Sequence, residues 1–215
     1  MIAKLHFISQ ETELHTHLQT IEAACKAGVQ WVQLRIKNKP EEEVLSIAKK
    51  AKEICDKYNA KLIINDYPAI AKEIGAYGLH LGKEDMPVSE ARKIVGNMII
   101  GASANTLEDI INHAKNNADY IGLGPFRFTA TKKKLSPVLG IEVYKTIMQE
   151  CEKRGITTPI IAIGGIEAND IPPLMEAGIY GVAISGAIVN AKDILQTVQH
   201  INSLLNVTEY VNHSR

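Results

Sequence analysis

Short apolar runs rich in Ile, Val and Leu alternate with longer stretches of helical period along the whole chain. The runs at 4–8, 31–35, 61–64, 78–81, 98–102, 120–123, 160–163 and 181–185 predict eight strands. Segments 14–26, 40–58, 88–95, 107–116, 141–154 and 194–205 predict the clearest helices. In the second of these, Val44, Ile47, Ala48, Ala51 and Ile54 share one face, with Lys and Glu on the other. Pro40 suits a first-turn position, and Gly75, Gly155 and Gly178 stand where helices should stop.

Eight βα units leave two architectures, a closed barrel or an open doubly wound sheet. At roughly 27 residues per unit the spacing fits a compact barrel. No G-x-G-x-x-G follows the first strand, as an open dinucleotide-binding sheet would favour. The expected fold is therefore α/β, a single (β/α)8 TIM barrel spanning 1–205. A polar C-terminal tail, 206–215, is expected to fray.

The chain has 215 residues, 46% of them hydrophobic, which is enough apolar material for one sizeable core. Its 24 basic and 24 acidic residues cancel, so no bulk charge points to nucleic acid or anionic lipid. Any phosphate binding must then be local. Cys25, Cys55 and Cys151 are widely spaced in helical segments and read as reduced, structural cysteines. No signal peptide is evident in 1–9, and no apolar run approaches the ~18 residues that span a bilayer. The expectation is a cytoplasmic protein with small-molecule partners and neither nucleic-acid nor membrane contacts. A homo-oligomer remains open.

In a barrel, the residues just past each strand converge on one face, where active sites lie. Here those ends carry Ser9, Arg35 with Lys37, Asn65-Asp66, His80, Ser103, Gly124, Gly164-Gly165 and Ser185-Gly186. Gln33, Arg35 and Lys37 occur at alternate positions, so a strand points all three the same way as an anion-binding ladder. Val32, Leu34 and Ile36 then face the helices. Asn65-Asp66 before Tyr67-Pro68 reads, taken alone, as a turn or helix cap. With Asp85 a few residues past the next strand and the basic ladder nearby, binding of Mg2+ by Asp66 and Asp85 is preferred. The longest loop, 124–140, holds Thr129, Thr131 and Lys132, which could clasp a diphosphate. Lys133 and Lys134 read as solvated neighbours. Gly165 and Ser185-Gly186 suit a phosphate cup, with a short helix opening at 187–190. His80 reads as a satisfied barrel-lining histidine rather than a proton carrier.

Taken in order, these segments resemble the thiamine phosphate synthase family over nearly the whole length. The matching stretches are Gln33-Leu-Arg35-Ile-Lys37, Ile64-Asn65-Asp66, Gly78-Leu-His80-Leu-Gly82-Lys-Glu-Asp85 and Gly101-Ala-Ser103. Tyr120-Ile-Gly-Leu-Gly-Pro125, Thr129-Ala-Thr131-Lys132, Ala162-Ile-Gly164-Gly165-Ile and Ala183-Ile184-Ser185 continue them. The resemblance implies a (β/α)8 fold, one Mg2+ and two substrates. These are 4-amino-2-methyl-5-hydroxymethylpyrimidine diphosphate and a thiazole phosphate, plain or carboxylated, joined with release of pyrophosphate.

It further implies that Asp66 and Asp85 hold Mg2+, and that Gln33, Arg35, Lys37, Asn65, Ser103 and Lys132 line the pyrimidine diphosphate. Thr129, Thr131, Gly165, Ile184 and Ser185 would meet the thiazole phosphate. Lys132, Ser103 and Arg35 would carry catalysis. The implied chemistry needs no protein nucleophile, which agrees with a sequence that advertises no cysteine or serine–histidine pair. Three positions depart from the family's pattern: Lys83 for the usual glutamine, Asn105 for histidine, and Arg127 for an apolar residue. Two rivals keep the phosphate cup: a thiazole tautomerase and a catalytically silent phosphate-binding barrel. Neither requires the metal pair and Lys132, which this chain has, and Asn105 weakens proton shuffling at that position.

Overall fold

The computed structural model describes residues 1–128 and 137–212, without the side chains of 207–212. Eight parallel strands close into a barrel in sequence order. They are β1 (Leu5–Ile8), β2 (Trp31–Leu34), β3 (Lys61–Asn65), β4 (Gly78–Leu81), β5 (Ile99–Ala104), β6 (Tyr120–Leu123), β7 (Ile160–Ile163) and β8 (Gly181–Ile184). β8 pairs with β1 through Leu5–Val182, His6–Ala183 and Phe7–Ile184, which closes the ring. The expected eight-fold barrel is the fold observed.

Strand alternation sorts the apolar residues into two layers. Phe7, Val32, Leu34, Ile64, Leu79 and Val182 point outward and pack with the helices. Trp31, Ile63, Tyr120, Ile161 and Ala183 point inward and fill the barrel. His6 joins the inner layer, stacked on Trp31 at 4.7 Å and edge-on to Tyr120 at 5.0 Å. Burial holds its pKa down at about 3, so it stays neutral and bonds through Nε2 to the Ala3 carbonyl.

The six expected helices are present: α1 (His17–Lys26), α2 (Glu41–Lys57), α4 (Val88–Val95), α5 (Leu107–Lys115), α6 (Gly140–Lys153) and α9 (Ile194–Asn212). Two further helices, α3 (Pro68–Glu73) and α7 (Ile171–Glu176), are six residues long, too short for a period to show in sequence. Each starts with a proline in its first turn, where the missing N–H costs nothing. α1 begins at His17 rather than at 14, because Thr16 caps it reciprocally with Gln19. The short α8 (Gly186–Val189) opens one residue before the expected start. α9 runs beyond 205 to Asn212, since no glycine or proline interrupts that stretch. All three cysteines are buried and free, as expected. Among the described residues, no helix is long and apolar enough to cross a membrane.

Candidate active site

A cavity of about 830 Å³ opens at the C-terminal ends of the strands. Every strand end contributes to its lining. Gln33 lies on β2 with Arg35 and Lys37 just past it, Asn65 ends β3, and His80 and Ser103 rise from β4 and β5. Gly165 follows β7, and Ser185 follows β8. The amide of Gln33 donates to Asn65 Oδ1 across 3.4 Å, which links the second and third strand ends.

Asp66 and Asp85 stand beside this cavity rather than in its wall. The Lys37 ammonium pairs with Asp66 Oδ2 and connects the carboxylate to the basic ladder. Asp66 holds a left-handed backbone, φ +70°, uncommon for a residue with a side chain. Its N–H donates to the His80 carbonyl at 2.9 Å. Among the described residues its Oδ1 is buried without a hydrogen-bond partner. Burial first, and the Asp85 carboxyl second, push the Asp66 pKa up to about 6, against the opposing pull of Lys37. Burial acts to raise Asp85 as well. There the contact with Asp66 and the Gly82 N–H, 2.6 Å from Oδ2, prevail and hold its pKa below the usual range. Below about pH 6 Asp66 takes up a proton while Asp85 stays ionised. An orphaned buried oxygen beside an ionised carboxylate is a donor set that suits a hard divalent cation. Among the described residues no group of three or more His, Cys, Asp or Glu does so.

The other side of the cavity is built from the loops after β6 and β7. Phe126 N–H donates to the Ile163 carbonyl and Arg127 N–H to the Gly164 carbonyl, each at 2.9 Å. A Cβ on Gly164, whose φ is +96°, would lie 2.7 Å from Pro125 Cβ, so only glycine lets these loops meet. Arg127 tightens the contact. Its guanidinium donates to Asp170 through two bonds of 2.7 and 2.9 Å, and to the Gly165 carbonyl at 2.6 Å. The departure at position 127 therefore locks the loop to the glycine cup. Ser185 Oγ donates to Gln10 Oε1 at 3.1 Å, which ties the last strand end to the first.

Ile184 is the one expected cup residue whose side chain lies elsewhere. It is 1% exposed and packed among the helices, because strand alternation gives the lining position to Ala183. Thr129, Thr131 and Lys132 fall outside the described residues. Lys83 is engaged with Asp109 at 2.8 Å, and Asn105 donates to the Gly124 carbonyl. These contacts brace the loops after β4, β5 and β6.

The structure also shows what the sequence did not advertise. A serine–histidine pair is present after all, with His80 Nε2 3.0 Å from Ser103 Oγ. Gln10, Glu11 and His17 line the cavity from the loop after β1 and the start of α1. Ser9 Oγ accepts the Arg35 N–H at 3.2 Å and shares a hydrogen bond with His17 Nδ1, 2.9 Å away. Burial, followed by the charges of Lys39 and Arg35, outweighs Glu11 and keeps the His17 pKa below normal. The only sequence signal for His17 is the capped helix start beside it, which says nothing of where the ring points.

A barrel whose rim combines a cationic ladder, a carboxylate pair and a glycine cup defines an enzyme for phosphorylated small molecules. The family described as thiamine monophosphate synthase matches residues 5–188. The thiamine-phosphate synthase of Flavobacterium johnsoniae is 47% identical over 206 residues, covering 95% of this chain and 97% of that protein. That of Bacteroides fragilis is 46% identical, covering 92% and 97%. The solved thiamine phosphate pyrophosphorylase from Pyrococcus furiosus superposes with a TM-score of 0.82 at 29% identity, covering 95% and 96%. This chain belongs to the thiamine monophosphate synthase family.

Because Arg127 fixes the carbonyl side of the Gly165 peptide, Arg127→Met should loosen the cup. Inorganic phosphate is expected to bind the variant roughly 3- to 10-fold more weakly by calorimetric titration. Unchanged affinity would show that the backbone bonds between the two loops suffice.

Proposed function

We propose that this chain is a thiamine-phosphate synthase, a transferase of thiamine biosynthesis. It couples the pyrimidine diphosphate to a thiazole phosphate and releases pyrophosphate. The observation that carries this reading is one cavity lined both by the basic residues at the end of β2 and by the glycine cup after β7 and β8, two candidate anion sites. Two phosphorylated substrates need two such sites close together. A tautomerase or a silent phosphate-binding barrel needs only the cup.

Gln33, Arg35, Lys37, Asn65, Ser103 and Lys132 bind the pyrimidine diphosphate. Gly165, Ser185, Thr129 and Thr131 receive the thiazole phosphate, together with the backbone of Ile184. The bond between the pyrimidine methylene and the diphosphate oxygen breaks, and its electron pair leaves with pyrophosphate. The ring amino group stabilises the resulting cation, and the thiazole nitrogen closes the new C–N bond. The protein's residues contribute alignment and charge rather than a covalent bond. Arg35 and Lys37 meet the charge that develops on the leaving group. Gly165, its loop fixed by Arg127, receives the acceptor's phosphate so that the nitrogen faces the cation.

The carboxylates fit a resident Mg2+, held by Asp66 and Asp85. Such an ion would offset the diphosphate's negative charge. The balanced charge and the lack of a membrane-crossing helix among the described residues agree with a cytoplasmic enzyme.

The test is the purified chain with both substrates, read as pyrophosphate and thiamine phosphate. Both products should appear together, only when both substrates are present, and more slowly when divalent metal is chelated. Binding of the thiazole phosphate without either product would favour the tautomerase or the silent barrel. The pH dependence gives a second prediction. Protonation of Asp66 competes with the cation, so the Mg2+ concentration for half-activation should rise about tenfold per unit as pH falls below about 6. Above that value it should level off. Asp66→Asn should weaken activation at every pH, and an unchanged metal profile would reject the ligand assignment.

A further inference from the structure

The floor of the cavity holds a hydrogen-bonded line of three side chains from three adjacent strands. Ser103 on β5 lines the cavity, and its hydroxyl meets Nε2 of His80 on β4 at 3.0 Å. The other ring nitrogen, Nδ1, lies 3.0 Å from the phenol oxygen of Tyr120 on β6. Tyr120 is 2% exposed, and no second acceptor for its hydroxyl is found among the described residues. Burial drives its pKa far above the ordinary value, so the phenol keeps its hydrogen.

These facts leave one arrangement of hydrogens. Were Nδ1 protonated, whether in neutral or cationic histidine, the phenol oxygen would have to accept that bond. Its own O–H would then be buried with no acceptor, a cost that folded proteins avoid. The opposite arrangement satisfies every group. Tyr120 donates to Nδ1, Nε2–H donates to Ser103 Oγ, and the serine hydrogen is left for an acceptor inside the cavity.

The strands are built around this line. A Cβ on Gly101 would overlap the Tyr120 ring, and one on Gly122 would lie 3.3 Å from His80 Cε1. Glycine weakens a strand interior, and at these two places it admits the two rings.

We propose that Tyr120, acting through His80, is a positioning residue that makes Ser103 a hydrogen-bond donor to the bound pyrimidine diphosphate. The choice of ligand rests on the proposed function above. The arrangement also explains why a serine and a histidine in contact do not form a nucleophile. His80 presents a hydrogen to Ser103, where an activating base would present a lone pair. The phenol therefore sets the task of the serine two side chains away.

Nitrogen NMR of the enzyme labelled in histidine reads the tautomer directly, the His80 signal being assigned by its loss in His80→Gln. In the wild type, His80 is expected to carry its hydrogen on Nε2, with Nδ1 bare. Tyr120→Phe keeps the ring but removes the donor. Its His80 should shift toward protonated Nδ1, and the KM for the pyrimidine diphosphate should rise about 3- to 10-fold. The KM for the thiazole phosphate and the melting temperature should hardly change. Protonated Nδ1 in the wild type would overturn the proposal, as would an unchanged pyrimidine KM in a folded Tyr120→Phe. Should that variant fail to fold, the wild-type tautomer decides alone. If the wild type turns over no pyrimidine diphosphate, the substrate assignment fails, while the tautomer still tests the relay.

Discussion

Apolar side chains pack both faces of the barrel wall, Ile63 and Ile161 on the inside, Val32 and Leu79 on the outside. A charged group has no place between those layers unless something compensates its lost hydration. Charge is therefore confined to the rim, where strands end and water enters. Even there Asp66 is largely buried, and its contact with Lys37 is what makes its position tenable. The pair anchors the basic ladder to the third strand end and places a carboxyl against Asp85. The anion site and the candidate cation site thus share one constraint.

The same economy governs the uncharged polar groups. His6 is held neutral at the inner layer by burial, and its Nε2 bonds to one backbone carbonyl. Tyr120 and His80 satisfy each other and pass the remaining donor upward to Ser103. On the far side, the guanidinium of Arg127 is spent on Asp170 and on the Gly165 carbonyl rather than offered to a ligand. Each half of the cavity is thus backed by side chains that touch no substrate and determine how those in front of them point.

Much of this was legible in the chain. The eight apolar runs gave the barrel. The strand ends picked out Arg35, Lys37, Asn65, Ser103, Gly165 and Ser185, alternation along β2 added Gln33, and all of these line one cavity. Strand alternation, applied to β8, would have excluded the side chain of Ile184, but the family motif carried it in. The short helices α3 and α7 were invisible because six residues do not reveal a period. His17 and Gln10 were missed because a loop's path after β1 depends on tertiary packing that no local pattern encodes. Arg127 was noticed only as a departure. Its role needs Asp170, which lies 43 positions away and is brought near only by closure of neighbouring strands. The pairing of His80 with Ser103 escaped for the same reason, since their strands meet only through the barrel's register.

The central claim is that the rim is divided, with diphosphate on the ladder after β2 and monophosphate in the cup after β7. A crystal structure of the enzyme with Mg2+ and pyrophosphate tests this most directly. The account predicts pyrophosphate against Arg35 and Lys37, with the cation on Asp66 and Asp85 and the Gly165 cup left open for the second substrate. Pyrophosphate seated in the Gly165 cup, with the ladder empty and no cation at the carboxylates, would contradict it.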